Sequence, residues 1–382
     1  MIDQPLTLAG GHIWDGLSST LAAGNVHIAD GVVVAEPAPG ARTLDLAGAF
    51  VIPGLIEGHA HLCFNAAQDW RAVYDSDSSA SMLLRMAGNA QKMLRAGITT
   101  VRDLGAPTDL AVQLRDSIKA GHVDGPSLLV SGAPITTTGG HCYFMGGEAD
   151  GELGIKMAVR KHARAGVDWI KVMATGGNMT PGTNTFAPQY SVEELRAGIE
   201  DAHRLGLRVA SHAHGLVGIR VAVEAGVDVI EHCSFTTPAG IERDDSVIEA
   251  IARKGIIVSP TISVGYRRWN DDGRKAARAD LTRAMVAAGC KIAMSTDCGI
   301  PGVPHDALAD ALAVVQEMTG LEPVEVLKLA TSTSAEHFGL GDRGVVAPGK
   351  RADLMVIDGD PLADLGALKT VRHVISGGRL AV

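Results

Sequence analysis

A chain of 382 residues with 46% apolar residues is long enough for one large domain plus a minor one. Only 4% of it is aromatic, so its core must be built from Ala, Val, Leu and Ile. A net charge of −9 without a long run of either sign argues against nucleic acid or an anionic membrane surface as partner.

Residues 1–50 read as short strands broken by turns such as Trp14-Asp15-Gly16 and Asp30-Gly31. The N-terminal MIDQPLTLAGG lacks the basic and apolar regions of a signal peptide, and no run of about 18 apolar residues follows, so the expectation is a cytoplasmic protein without a membrane span. The middle of the chain then alternates β-branched runs with longer amphipathic segments. Strands are predicted at 52–62, 98–104, 127–133, 168–174, 207–213, 227–233, 256–262 and 291–297, with helices between them, for instance at 191–205 and 305–319. Several helices end in a glycine directly before the next strand, as at Gly97, Gly166, Gly206 and Gly226. Eight such units predict an α/β fold, a parallel (β/α)8 TIM-like barrel over residues 55–344. Residues 345–382 return to short strands and turns. Neither end buries a core alone, so residues 1–54 and 345–382 are expected to combine in one small β-sandwich domain. Five cysteines, an odd number without a CxxC, suit a reducing compartment and no disulfide framework.

In barrels of this kind the working residues sit at the C-terminal ends of the strands. His59 and His61 end the first predicted strand, Lys171 lies in the fourth, His212 and His214 end the fifth, His232 the sixth and Asp297 the eighth. Residues two apart on a strand point to one face, so His59 and His61 would project together, as two ligands of one ion must. A single H-x-H pair is weak evidence, and a lone strand histidine is usually a satisfied core residue. Two pairs and two further donors at one end of the same strands are stronger. Imidazole and carboxylate suit a borderline divalent ion such as zinc. Lys171 is the odd member: a buried ammonium is costly, and beside a cation it is repelled. It makes sense if neutral, or as a carbamate (N6-carboxylysine), which is anionic and able to bridge two ions.

The runs VIPGLIEGHAHL, WIKVMATGG, VASHAHG, VIEHCSF and MSTDCG, with the closing GKRADLMVIDGDP, resemble the amidohydrolase superfamily over essentially the whole chain. ITTTGGHC and QYSVEELRAGIEDAHRLG resemble its prolidase and ochratoxinase-like group, related to imidazolonepropionases. The resemblance implies two zinc ions per chain. His59 and His61 would hold the first, carboxylated Lys171 would bridge, and His212 and His232 would hold the second. Asp297 would touch the first ion and move protons, while His214 would either support the ligands from behind or face substrate. It further implies hydrolysis of an amide (a dipeptide-like Xaa-Pro, an N-acyl amino acid or a cyclic amide) through attack by a metal-bridging hydroxide, with Asp297 as base and then acid.

Two more residues are candidates for holding substrate or an oxyanion. His141 follows the third strand behind two glycines; Tyr190 precedes the Ser191-x-x-Glu194 capping box, whose plain reading is a helix start with Tyr190 as its apolar staple. Arg267 and Arg268 after the seventh strand would suit a substrate carboxylate, or a solvated face. Cys63, Cys142, Cys233 and Cys298 beside these positions read as small apolar filler. A one-metal heterocycle deaminase is the rival within this fold, and Lys171 counts against it. A non-catalytic relative would be expected to have lost ligands, and none is lost. The expected partner is a small-molecule amide. A homo-oligomer stays open, since barrels often associate but no heptad marks an interface.

Overall fold

The computed structural model describes residues 4–382, a mixed α/β fold. Strands from both ends of the chain share one eight-stranded sheet. Its order runs Arg379–Leu380, Val371–Ser376, Leu354–Ile357, Phe50–Pro53, Leu6–Ile13, Ala22–Ala29, Val32–Val34, with Arg42–Asp45 also pairing with Leu6–Ile13. The seam is Phe50–Pro53, which runs antiparallel to Leu354–Ile357 with Val51 opposite Val356. One face of this sheet packs Leu6, Leu8, Val26, Val51, Leu354 and Ile375 into a cluster of its own.

The eight expected central strands are all present and parallel. They are Leu55–Ala60, Ile98–Asp103, Ser127–Val130, Trp169–Met173, Arg208–Gly215, Val229–Thr237, Ile257–Ser259 and Lys291–Ile292. The predicted strand 52–62 is two strands. Pro53 ends the terminal sheet and Leu55 begins the central set. Gly54 makes that switch, since a Cβ there would lie 2.2 Å from Thr99 Oγ1.

The ladder is not continuous. The first three central strands form one sheet, and the other five belong to a second. Two places carry the hydrogen bonds across. After Val130 the third strand turns away at Gly132 (φ 70°), but Asp168 N donates to Val130 O (2.8 Å) and Ile135 N to Lys171 O (2.8 Å). The eighth strand pairs over two residues only, yet Gly58 N reaches Met294 O (3.0 Å) and His61 N reaches Cys298 O (2.8 Å).

Helices cover the outer faces because their apolar residues recur with helical period. Val192–Arg204 shows the local logic. Ser191 and Glu194 complete the predicted capping box, and Leu195, Ile199 and Ala202 are buried against the strands. Gly166 (φ 83°) and Gly226 (φ 90°) cap their helices in the left-handed conformation, as the helix-glycine-strand rhythm requires. No helix among the described residues is long and apolar enough to cross a membrane.

Candidate metal centre

The C-terminal ends of the central strands open into a cavity of about 1100 Å³, lined by His59, His61, His141, Lys171, His212, His214, His232 and Asp297. Two groups of ligand atoms stand in it: His59, His61 and Asp297, and His212, His214 and His232.

In the first group the imidazole tautomers follow from their partners. His59 Nδ1 faces Glu231 Oε2 at 2.9 Å, and His61 Nδ1 faces the Gly105 carbonyl at 3.0 Å. Both partners only accept, so each Nδ1 carries the proton and each Nε2 is a lone pair. Those two lone pairs are 3.3 Å apart, and Asp297 Oδ1 lies 3.4 Å from one and 3.2 Å from the other. Three acceptors thus converge on one point with no donor among them, an arrangement that a cation relieves. Burial lowers the His61 pKa, but Asp297 outweighs burial and raises it, which is the same convergence drawing in a proton. His59 is pushed down to about 4 by burial and by Lys171.

In the second group His212 Nε2–H donates to Gly176 O (3.1 Å), which leaves Nδ1 as a lone pair facing His232 Nε2 at 2.8 Å. His232 Nδ1 meets Thr261 Oγ1 (2.9 Å). His214 stacks on His232 with centroids 4.3 Å apart, and its Nδ1 meets Ser234 Oγ at 2.9 Å. Burial holds all three imidazoles below their ordinary pKa, so they are neutral and fit to ligate. His232 (φ 66°) and Asp297 (φ 62°) both adopt left-handed backbone, which is uncommon for non-glycine residues. Arg278 holds the first of these in place, donating from Nη2 to His232 O (2.8 Å) and Pro260 O (2.7 Å) and from Nη1 to Cys233 O (3.1 Å).

Lys171 is 1% exposed and its Nζ has no hydrogen-bond partner. Burial pushes it down to about 8, despite Glu231 and Asp297 nearby. Its charge acts on His59 in one group and on His212 and His232 in the other. A buried amine without a partner, close enough to act on both groups, is costly to keep charged and calls for a counter-charge or a chemical change.

The remaining candidates divide. His141 belongs here: it lines the cavity, its ring is 4.6 Å from that of His212, and its Nδ1 lacks a partner. A Cβ on Gly177 would lie 2.3 Å from His141 Nε2, so the glycine makes room for this ring. Tyr190 does not belong. It is buried among Ile155, Leu195 and Ile199, and its hydroxyl donates to Ala149 O (2.8 Å), so the staple reading of its position is the one realised. Arg267 points outward to an exposed ion pair with Glu317, and only its neighbour Arg268 faces the cavity. Cys63, Cys142, Cys233, Cys290 and Cys298 are buried free thiols.

Four residues beneath the ligands were not anticipated. Glu231 is 0% exposed and joins His59 to Arg102, whose Nη2 donates to Glu231 Oε1 at 2.5 Å. Burial raises the Glu231 carboxyl, but Arg102 and His59 outweigh it and hold the group at about 2. The Arg102 guanidinium is sandwiched between Trp169 (4.4 Å to the centroid) and Phe338 (4.1 Å). Glu57 and Thr296 meet beneath Asp297. Glu57, Arg102 and Glu231 are, like Lys171, charged residues inside apolar strands, and that is their signal in the sequence.

A family model described as "Amidohydrolase family" matches residues 50–381. Ochratoxinase from Aspergillus niger is 31% identical over 376 residues, covering 86% of this chain and 75% of that protein. Imidazolonepropionase from Cutibacterium acnes is 28% identical over 339 residues, covering 81% and 76%. Among solved structures, a Xaa-Pro dipeptidase with methionine bound in its active site superposes with a TM-score of 0.85 at 26% identity, covering 99% of both chains.

Proposed function

The chain belongs to the amidohydrolase family and is a hydrolase of carbon–nitrogen bonds, and from that premise we propose a binuclear zinc enzyme that cleaves the amide of an N-acyl amino acid or a dipeptide. The observation that carries this reading is the pairing of two sets of convergent ligand atoms with the orphaned Lys171 Nζ that acts on both. His59, His61 and Asp297 would hold one ion and His212 and His232 the other, with Lys171, once carboxylated, serving both, and His214 would be left for substrate. When bound, such ions polarise the scissile carbonyl and acidify water.

The chain's own residues do the rest. Asp297 takes a proton from the attacking water and returns it to the departing amine, which must not leave as an anion. Its carboxyl suits that task, because His59 and His61 outweigh burial and keep it ionised. His141 is neutral, pushed down to about 3 by burial, and offers an N–H to the carbonyl oxygen as charge develops there. The outer wall favours an anionic end group. Arg268 donates to Gly302 O, Arg274 lies 4.2 Å above the Trp269 ring, and Arg278 donates to backbone carbonyls. All three line the cavity, and all three engage neutral partners here. A free carboxylate on the leaving amino acid meets that wall, whereas a neutral cyclic amide leaves it unused.

The same reading takes residues 55–344 as a (β/α)8 barrel, supported by the hydrogen bonds that cross both gaps in the ladder. Residues 1–54 and 345–382 make the small β domain, read as a sandwich folded over the Leu6–Leu354 cluster. Five reduced thiols suit the cytoplasm.

The test is metal content by mass spectrometry alongside turnover of N-acyl amino acids, Xaa-Pro dipeptides and their carboxamide counterparts. Two zinc ions per active chain and a preference for the free carboxylate are expected. Fewer than one ion per active chain would overturn the binuclear site, and equal turnover of the carboxamides would overturn the carboxylate preference.

A further inference from the structure

The residue that closes the first ligand group comes from the least regular strand. Beyond Ile292 the eighth strand leaves its ladder, and Asp297 sits in left-handed backbone with φ 62°. Its Oδ1 nevertheless stands within 3.4 Å of two imidazole nitrogens carried by the first strand. Something must fix these two segments against each other.

Part of the answer is backbone. Gly58 N donates to Met294 O and His61 N to Cys298 O. Gly58 allows the approach, since a Cβ there would lie 2.5 Å from Met294 O and 3.0 Å from the Phe338 ring. Between these two contacts the first strand shifts register against its other neighbour, from Glu57 to Ala60. At that irregularity the His59 N–H turns back to Glu57 Oε1 (3.0 Å). The same oxygen accepts Thr296 N (2.8 Å), and Oε2 accepts Thr296 Oγ1 (2.6 Å). Glu57 is 1% exposed, and its carboxylate therefore joins two residues that each neighbour a ligand or are one.

We propose that Glu57 is a positioning residue: its carboxylate replaces the backbone rung missing between the first strand and the 293–298 segment, and so sets Asp297 against His59 and His61. One carboxylate oxygen accepts two convergent N–H groups, and the second grips the threonine hydroxyl. Outer partners of this sort orient ligands and tune affinity. The inference rests on the reading of His59, His61 and Asp297 as ligands of one ion.

The test uses Co²⁺ alone as probe on the metal-stripped full chain, comparing wild type, Glu57→Gln, Glu57→Leu and Thr296→Val. The readouts are stepwise Co²⁺ affinity, the d–d absorption of each bound ion, and amide exchange of peptides covering 55–62 and 293–299. Glu57→Gln keeps an oxygen for both N–H groups, and its amide donates to Thr296 Oγ1, so it should bind Co²⁺ like wild type. Glu57→Leu should weaken one of the two ions by about 10–100-fold, change its absorption and leave the other in place. Thr296→Val should shift the same ion in the same direction by less. Wild-type affinity and spectrum in a folded Glu57→Leu protein would overturn the proposal. If that variant does not fold, a Thr296→Val protein indistinguishable from wild type would do so. Wild type that takes up no Co²⁺ would instead overturn the metal reading. Amide exchange, which needs no metal, would then still show whether Glu57 ties the two segments.

Discussion

Arg102 and Glu231 meet among the central strands, Nη2 to Oε1 at 2.5 Å, with neither side chain exposed. Arg102 comes from the second strand and Glu231 from the sixth, so the pair spans the interior directly beneath His59. Breaking a buried pair from one side leaves the other charge uncompensated. Arg102→Met should therefore cost about 3–5 kcal/mol in chemical unfolding. The double variant Arg102→Met/Glu231→Gln should be more stable than the sum of the single losses predicts. Strict additivity would show that the two charges are not coupled.

Lys171 separates stability from function. In the metal-free chain its amine is buried without a partner. Lys171→Met should raise the melting temperature of stripped protein, because it removes that desolvation cost. The same change should cut turnover by more than the roughly 10–100-fold typical of an outer partner. A destabilised stripped protein would contradict the orphaned-amine description.

Asp297→Asn preserves shape and removes the proton acceptor. If Asp297 moves the proton, kcat should fall by about 10²–10⁴-fold with bound metal largely retained. Turnover near that of wild type would remove Asp297 from this role.

Acid sensitivity follows from His305, buried with Nε2 3.1 Å from His61 O. Burial holds it at about 4, below its ordinary 6.5. The unfolded chain then binds the proton first as pH falls. Stability is complete above about 6.5 and is lost progressively down to about 4. Urea denaturation of metal-free protein across that window should show the decline, and His305→Gln should flatten part of it. The other buried imidazoles held below their ordinary value, His59, His141, His212, His214 and His232, keep the remainder. An unchanged slope would show that His305 does not titrate on unfolding.

Tyr190→Phe removes one buried hydrogen bond, to Ala149 O. It should lower stability by about 1 kcal/mol and leave kcat and KM unchanged. A fall in kcat in fully folded protein would return Tyr190 to the site.

The side chains that converge on the cavity were legible in the sequence because strand periodicity and strand-end position are local properties. His59, His61 and His232 needed only a strand and its end. Lys171 needed one physical argument, the cost of burying an ammonium in an apolar run. That argument applies equally to Glu57 in GLIEGH, Arg102 in TTVRDL and Glu231 in VIEHC. Their pairing, by contrast, was not legible, because it joins strands far apart in the chain. Tyr190 and Arg267 show the opposite limit. A residue beside a capping box or in a loop has no period to say which way it faces, and both face away from the cavity. The split between Phe50–Pro53 and Leu55–Ala60 was hidden because the apolar pattern runs straight through Gly54.

That split has a wider consequence. The strand that carries His59 is reached from the terminal sheet through a single glycine, and its predecessor is pinned by Leu354–Ile357 from the far end of the chain. Natural variation or a purification tag that disturbs the C-terminal strands therefore acts on the root of the first ligand strand. Screens for inactive variants should find a second hot zone there, remote from the cavity, whose members lose metal without touching a ligand.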